Sequence, residues 1–253
     1  MKIVSVVGAR PNFMKIAPFI HAINEHNKIN DNKIEHLLVH TGQHYDDRMS
    51  QSFFESLGIP EANINLGIGS GSHATQVGLT MIEFEKILEK VNIDWVIVVG
   101  DVNATLACSI TAKKQHIKVC HIEAGLRSGD IEMPEEINRL VTDRLSDLLL
   151  TPDKLSVKNL LDEGTPNDRI KFVGNIMIDT LESNRGKAEK LEIDGIIKNN
   201  KLTHNQFKKA RISKNSPYAI VTLHRPSNVD TKEIKNKHET KIPKINSSYN
   251  RNS

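Results

Sequence analysis

Short apolar runs alternate with longer amphipathic stretches from residue 2 to about residue 173, and this rhythm constrains the fold more than any other feature of the 253-residue chain. The apolar runs Lys2 to Val7, Glu35 to Val39, Trp95 to Val99, Lys118 to Glu123, Leu148 to Thr151 and Ile170 to Val173 read as buried strands. Between them, Met14 to Asn24, Arg48 to Leu57, Ala74 to Val91, Asn103 to Gln115, Pro134 to Ser146 and Asp153 to Glu163 read as helices. Repeated strand-helix-strand units predict an α/β fold, a Rossmann-like parallel sheet flanked by helices. Pro134 suits a first helical turn, where its missing N–H costs nothing, and Glu135 and Glu136 then favour the positive end of the helix dipole. Gly164 supplies a left-handed stop after Glu163.

The rhythm weakens after Val173, which sets the expected organisation: a domain over 1–175, a linker and the start of an incomplete second domain over 176–230, and a disordered tail over 231–253. The segment from about 180 to 217 is rich in Lys and Asn, and one further strand, Tyr218 to Thr222, leads into Leu223-His-Arg-Pro. One strand and one turn do not make a core. Residues 231–253 offer almost nothing to bury and show no sustained period.

Composition narrows the function. Net charge is +3, but the last 23 residues carry six Lys or Arg against two Asp or Glu, leaving residues 1–230 at −1. With aromatics at only 4%, a basic, stacking nucleic-acid face is not expected. No apolar run approaches the roughly 20 residues that a membrane-spanning helix needs. The chain enters a strand directly from Met1, without the pattern of an export signal, so a cytoplasmic location is expected. Cys108 and Cys120 have no spacing that suggests a metal site or a disulfide framework and read as core residues.

Charged residues stand where the buried strands end. In an open parallel sheet, ligands bind beyond the carboxyl ends of the strands, so such charges point into a crevice. Asp101 follows Trp95 to Gly100, and Glu123 follows Lys118 to Ile122; with Arg127 and Glu135 they are expected around one pocket. Asp101 could equally cap the helix beginning near Asn103. Glu123 has no such structural explanation, because a buried unpaired carboxylate is costly. Glu135 and Arg139, four residues apart, suit either the site or an intrahelical ion pair. In the first turn, Gly8-Ala9 allows close backbone approach before a helix terminus that attracts anions, and Arg10 and Lys15 add positive charge; a tight turn with two solvated basic residues is the plainer alternative. His44 and Tyr45 suit the rim of a sugar site or plain packing. His224, with Arg225, suits a group that meets a phosphate or exchanges a proton near neutral pH.

The blocks Gly8-Ala-Arg-Pro-Asn-Phe-Met-Lys15, Thr41-Gly-Gln-His44, Gly100-Asp101, His121-Ile-Glu-Ala-Gly-Leu-Arg-Ser128, Pro134-Glu-Glu-Ile-Asn-Arg139, Val173-Gly-Asn175 and Thr222-Leu-His-Arg225 occur in this order. Together they resemble the non-hydrolysing UDP-N-acetylglucosamine 2-epimerases over residues 1 to about 230. The resemblance implies a two-domain fold of the GT-B type, the second domain being incomplete here, and a homodimer without metal or nicotinamide. It implies interconversion of UDP-N-acetylglucosamine and UDP-N-acetylmannosamine by elimination of UDP to a 2-acetamidoglucal and re-addition, with the proton returned to the other face of C2. On this likeness Asp101, Glu123 and Glu135 match the family's catalytic carboxylates, and His224 matches the histidine that assists the leaving diphosphate. Arg10 and Lys15 match residues beside the phosphates, and His44, Arg127 and Arg139 join the substrate-binding set. Glu123 is the preferred C2 base, with Asp101 orienting it or titrating against it. The likeness also implies that the chain is shortened, and that residues 231–253 resemble nothing in the family.

Overall fold

All six strands expected up to residue 173 form, and every one is parallel to its neighbours. The computed structural model describes residues 1–42, 57–193 and 195–196. Its strands are β1 (Lys2–Val7), β2 (Glu35–His40), β3 (Ile64–Asn65), β4 (Trp95–Val99), β5 (Lys118–Ile122), β6 (Leu148–Thr151) and β7 (Ile170–Phe172). They lie in the order β3-β2-β1-β4-β5-β6-β7. The described helices are α1 (Arg10–Ile29), α2 (His73–Leu88), α3 (Asn103–Lys114), α4 (Pro134–Leu145), α5 (Lys154–Asp162) and α6 (Ile176–Ala188), with a 3₁₀ turn at Asn167–Arg169. The expected helix at Arg48 to Leu57 lies outside the described residues apart from Leu57, and the expected strand at Tyr218 to Thr222 lies wholly outside them.

Each strand in the middle of the sheet buries both faces, which is why its sequence is apolar throughout rather than alternating. On one face, Ile3, Val7, Ile97, Val99, Cys120 and Ile122 pack against Phe13, Ile16, Ala17 and Ile20 of α1. On the other, Val4, Val6, Val96, Val98 and Val119 meet Phe84 and Leu88 of α2 and Ala104, Cys108 and Ala112 of α3. The small residues of α3 let it lie close to the sheet. Cys108 and Cys120 are buried, and burial pushes both thiols up, that of Cys120 to about 12. Among the described residues, no helix is long and apolar enough to cross a membrane.

Three elements depart from expectation. The strand β3 is two residues long and joins the edge through Leu66 N–H donating to the His40 carbonyl (2.8 Å), too short to leave a periodic trace. The helix α1 begins at Arg10 rather than Met14, because Pro11 fits its first turn. The helix α6 falls where a linker was expected; Thr180 Oγ1 donates to the Met14 carbonyl (2.5 Å) and Ile176 packs on the core that α1 covers. The first compact unit therefore runs from Met1 to Lys190, past the expected limit at residue 175, and a second unit spans Leu191–Ser253.

Beyond β5, a small satellite core joins Ala124, Leu149, Leu160 and Ile170, with Gly125 running against α5. Gly125 has φ +82, and a Cβ there would sit 2.4 Å from the Ser156 carbonyl oxygen. The obstacle is backbone and cannot rotate away. Gly125→Ala is expected to cost about 3 kcal/mol or more, left-handed strain and overpacking together. Urea unfolding of the whole chain measures it; a midpoint within error of the parent would contradict this account of the α5 contact.

Candidate active site

The order of strands reverses at β1 and β4, so α1 leaves on one face of the sheet and α3 on the other. Loops diverge at such a switch point and open a crevice beyond the strand ends. The first turn supplies one wall. Asn12, 2% exposed, turns back so that its Oδ1 accepts the N–H groups of Gly8 (3.1 Å) and Ala9 (2.9 Å), while its Nδ2 donates to the Val99 carbonyl (3.0 Å). One side chain thus ties the end of β1 to the end of β4 and fixes where α1 begins. One turn further along α1, Lys15 projects its ammonium onto the carboxylate of Glu123.

Glu123 reaches that lysine by leaving the strand. Strict alternation along β5 would send it to the same face as Val119 and His121, away from α1. Instead Glu123 has φ +74, a left-handed conformation that costs a non-glycine residue about 1 kcal/mol or more. The N–H groups of Glu123 and Ala124 both donate to the Leu150 carbonyl (3.0 and 3.1 Å), so the chain bulges there. Glu123 also borders a cavity of about 300 Å³ walled by apolar side chains that include Phe19, Leu150, Val173 and Ile176, with Asp179 as its other carboxylate.

Asp101 lies across Gly100 from this pair. Gly100 has φ +68, and a Cβ on it would stand 3.2 Å from Lys15 Nζ and 3.4 Å from Glu123 Oε2, so the turn packs directly on that ion pair. Asp101 does not cap α3; Val102 occupies that position, with no side-chain cap. Its carboxylate accepts Arg139 Nη2 (2.5 Å) instead, and its carbonyl accepts Asn138 Nδ2 (2.8 Å), both from α4. Asp101 and Glu123 therefore occupy neighbouring strand ends but turn to cations on opposite faces of the sheet. They form two pairs astride Gly100 rather than one cluster.

The helix α4 buries a polar stripe, Glu136, Asn138, Thr142 and Asp143. Glu136, 3% exposed, accepts the N–H groups of Ser128 (3.0 Å) and Gly129 (3.1 Å) and Nη1 of Arg139 (2.8 Å). Burial alone would push its carboxyl up, but these hydrogen bonds outweigh burial and hold it at about 2. Glu135 beside it is exposed and, among the described residues, makes no ion pair. The anticipated partnership of Glu135 with Arg139 is therefore made by Glu136, three residues away rather than four. Two turns along, Asp143 accepts Gly125 N–H (3.0 Å), Arg127 Nη1 (2.7 Å) and His121 Nδ1 (2.6 Å), and against the opposing effect of burial the His121 ring and the Arg127 guanidinium hold it below the usual carboxylate range. The other ring nitrogen of His121 lies 2.8 Å from the Gly100 carbonyl.

Arg127 forks between Asp143 and Glu163. It is committed to this buried network rather than turned to the crevice beside Asp101 and Glu123, because the left-handed Gly125 folds the loop back over α5. The side chain of Arg10, and His44 and His224, lie outside the described residues. Sequence reasoning missed Glu136, Asp143 and His121. The signal for them was a histidine inside an otherwise apolar strand, which needs a buried partner. Among the described residues, no group of three or more His, Cys, Asp or Glu is placed to hold a metal ion.

Comparison with known proteins gives the family. A UDP-N-acetylglucosamine 2-epimerase of Methanococcus maripaludis is 40% identical over 252 residues, which are 99% of this chain and 63% of that protein. A UDP-2,3-diacetamido-2,3-dideoxy-D-glucuronate 2-epimerase of Pseudomonas aeruginosa is 42% identical over 182 residues, 71% of this chain and 50% of that one. The crystal structure of Methanocaldococcus jannaschii UDP-GlcNAc 2-epimerase in complex with UDP-GlcNAc and UDP superposes with a TM-score of 0.80 at 40% identity, over 94% of this chain and 61% of that chain. This chain thus spans about three fifths of the length of the two archaeal relatives. The family model for UDP-N-acetylglucosamine 2-epimerase matches residues 27–251, well past residue 230, which corrects the expectation that the final 23 residues resemble nothing in the family. With a match over most of its length, the chain belongs to the UDP-N-acetylglucosamine 2-epimerase family.

Proposed function

We propose that this chain carries the acid-base machinery of a UDP-N-acetylglucosamine 2-epimerase, with Glu123 as the base at C2 of the sugar. Glu123 carries the reading: it is an acid held off its strand at an energetic cost, beside a lysine, at the switch point of the sheet. A strained residue at a strand end has no reason to persist unless its position is used.

In this reading the Glu123 carboxylate takes the C2 proton of UDP-N-acetylglucosamine. The C2–H pair becomes the C1=C2 double bond and the C1–O bond breaks, with UDP leaving as the anion. Lys15, the positive end of α1 and, as expected from the sequence, Arg10 and His224 stabilise the departing diphosphate. Re-addition of UDP at C1 with proton delivery to the opposite face of C2 gives the manno sugar. That delivery needs an acid on the other side of the ring, and Asp101, turned to the opposite face of the sheet, supplies it, with Glu135 and Arg139 on the same rim. Glu123 takes one proton and Asp101 gives one, and exchange with water, Glu123 releasing its proton and Asp101 regaining one, resets both acids before the next turnover. The diacetamido-glucuronate relative inverts the same carbon, so C2 inversion beside an acetamido group is common to both substrates. We further propose a homodimer in the cytoplasm for the complete protein.

This chain spans about three fifths of the length of its archaeal relatives, and turnover needs the substrate held in near-attack geometry. Incubated alone with UDP-N-acetylglucosamine in D₂O, the chain is expected to give no UDP-N-acetylmannosamine. Adding, as a separate polypeptide, the part of the M. maripaludis relative that the match leaves uncovered should restore turnover and place deuterium at C2 of the product. Turnover by the chain alone would refute the need for the second part, and product without C2 deuterium would refute proton abstraction. In the same assay, Glu123→Gln should lower turnover at least about a hundredfold, the scale of a lost general base, with binding of the UDP-sugar within about threefold of the parent. Equal losses in both would make Glu123 a binding residue instead.

A further inference from the structure

We propose that Glu136 is a positioning residue: by accepting the Ser128 and Gly129 amides and the guanidinium of Arg139 together, it couples the loop that follows Glu123 to the carboxylate of Asp101. The proposal rests on the reading of Asp101 and Glu123 as the reacting acids and adds a residue that touches neither the substrate nor the reacting atoms.

The geometry runs through one helix. Glu136 holds the far end of the loop, at Ser128 and Gly129, and through Arg139 it reaches Asp101 Oδ2. Asp143, seven residues along the same face of α4, holds the near end of the loop at Gly125, and through His121 it reaches the Gly100 carbonyl. Both ends of the loop are pinned to α4, and both lines of contact finish on the Gly100-Asp101 turn. Since Gly100 packs on the Lys15–Glu123 pair, the separation of the two reacting acids is set by a rigid helix rather than by the loop itself.

The carboxylate offers one oxygen to Gly129 N–H and the other to Ser128 N–H and the guanidinium, whereas an amide would offer a single oxygen and turn an NH₂ toward a donor. Loop and guanidinium together therefore call for a carboxylate, at the desolvation cost of a nearly sealed charge. The charge is needed to grip Arg139, and Arg139 spends its other nitrogen on Asp101. A forked guanidinium fixes direction as well as distance, so it can transmit the position of Glu136 to Asp101. Glu135, on the exposed side of the same turn, has no such route.

The test is residue-resolved amide exchange and backbone NMR on the 253-residue chain with two crossed variants. Glu136→Gln should speed exchange at Ser128 and Gly129 at least tenfold and displace the Asp101 backbone resonances, while the amides of β1 and β2 keep the parent's protection. Arg139→Lys should displace the Asp101 resonances and leave exchange at Ser128 and Gly129 unchanged, because Glu136 still accepts both. Asp101 resonances that stay in place in both variants overturn the proposal. If Glu136→Gln loses protection throughout β1 and β2, the Arg139→Lys variant decides alone, by whether Asp101 moves. In the two-polypeptide turnover assay, Glu136→Gln should lower kcat about a hundredfold with KM within twofold, as a misplacement of about 1 Å does; an equal fall of kcat and rise of KM overturns the positioning role. The NMR measurement needs no turnover, so it succeeds or fails independently of the epimerase reading.

Discussion

Carboxylates crowded at the edge of a sheet raise one another's pKa and are tolerated only when each is met by a cation, its own or a shared one. The strand ends here are built around that requirement. Glu123 has Lys15, Asp101 has Arg139, Glu136 shares Arg139, and Asp143 has Arg127 and His121. The partners come from different elements, Lys15 from α1, Arg139 from α4, His121 from β5 and Arg127 from the loop, so neither helix can slide without stranding a charge. Removing one partner of a buried pair costs roughly 3 to 5 kcal/mol, far more than the pair adds as a whole. The network therefore fixes register more than it adds stability, and register sets where Asp101 and Glu123 stand at their strand ends.

The strands were legible because burial on both faces leaves a continuous apolar run that survives any detail of packing. The helices were legible where their apolar stripes were broad, and α6 was not, since its attachment to α1 rests on Ile176 and on one hydroxyl reaching a main-chain carbonyl, while Ile178 and Leu181 stay exposed. Position picks out Asp101 and Glu123, because a charge directly after a buried strand points into the crevice, whereas Arg139 stands out only by its spacing from Glu135 and by the family pattern. The directions of these side chains could not be read, because they depend on single backbone angles. A left-handed Glu123 reverses the alternation on which any such reading relies. The choice between Glu135 and Glu136 likewise turns on about 100° of helix rotation, which adjacent identical residues do not betray. Arg127 was misdirected for a third reason: Gly125, also left-handed, carries the loop back toward α5, where Glu163 is waiting.

The same strand reversal that opens the crevice also explains the division of labour among the helices. The helix α1 covers the switch point on its face and delivers the lysine and the anion-attracting terminus together. On the other face α3 is all small residues against the sheet, which lets α4 lie close enough for a polar stripe to reach across to the strand ends. A polar helix face turned inward is costly unless its charged groups find partners; the loop after β5 supplies them to Glu136 and Asp143 by folding over the helix, and the Asp101–Asn103 segment supplies them to Asn138.

Sealed thiols carry a practical consequence. The chain has two cysteines in all, and both are packed in the core with their ionisation suppressed, so neither competes for maleimides or iodoacetamides while the fold is intact. A single cysteine introduced on the outer side of α4 would be the one reactive handle on the molecule. A fluorophore or spin label there would report on the rim of the crevice without the need to strip native residues first.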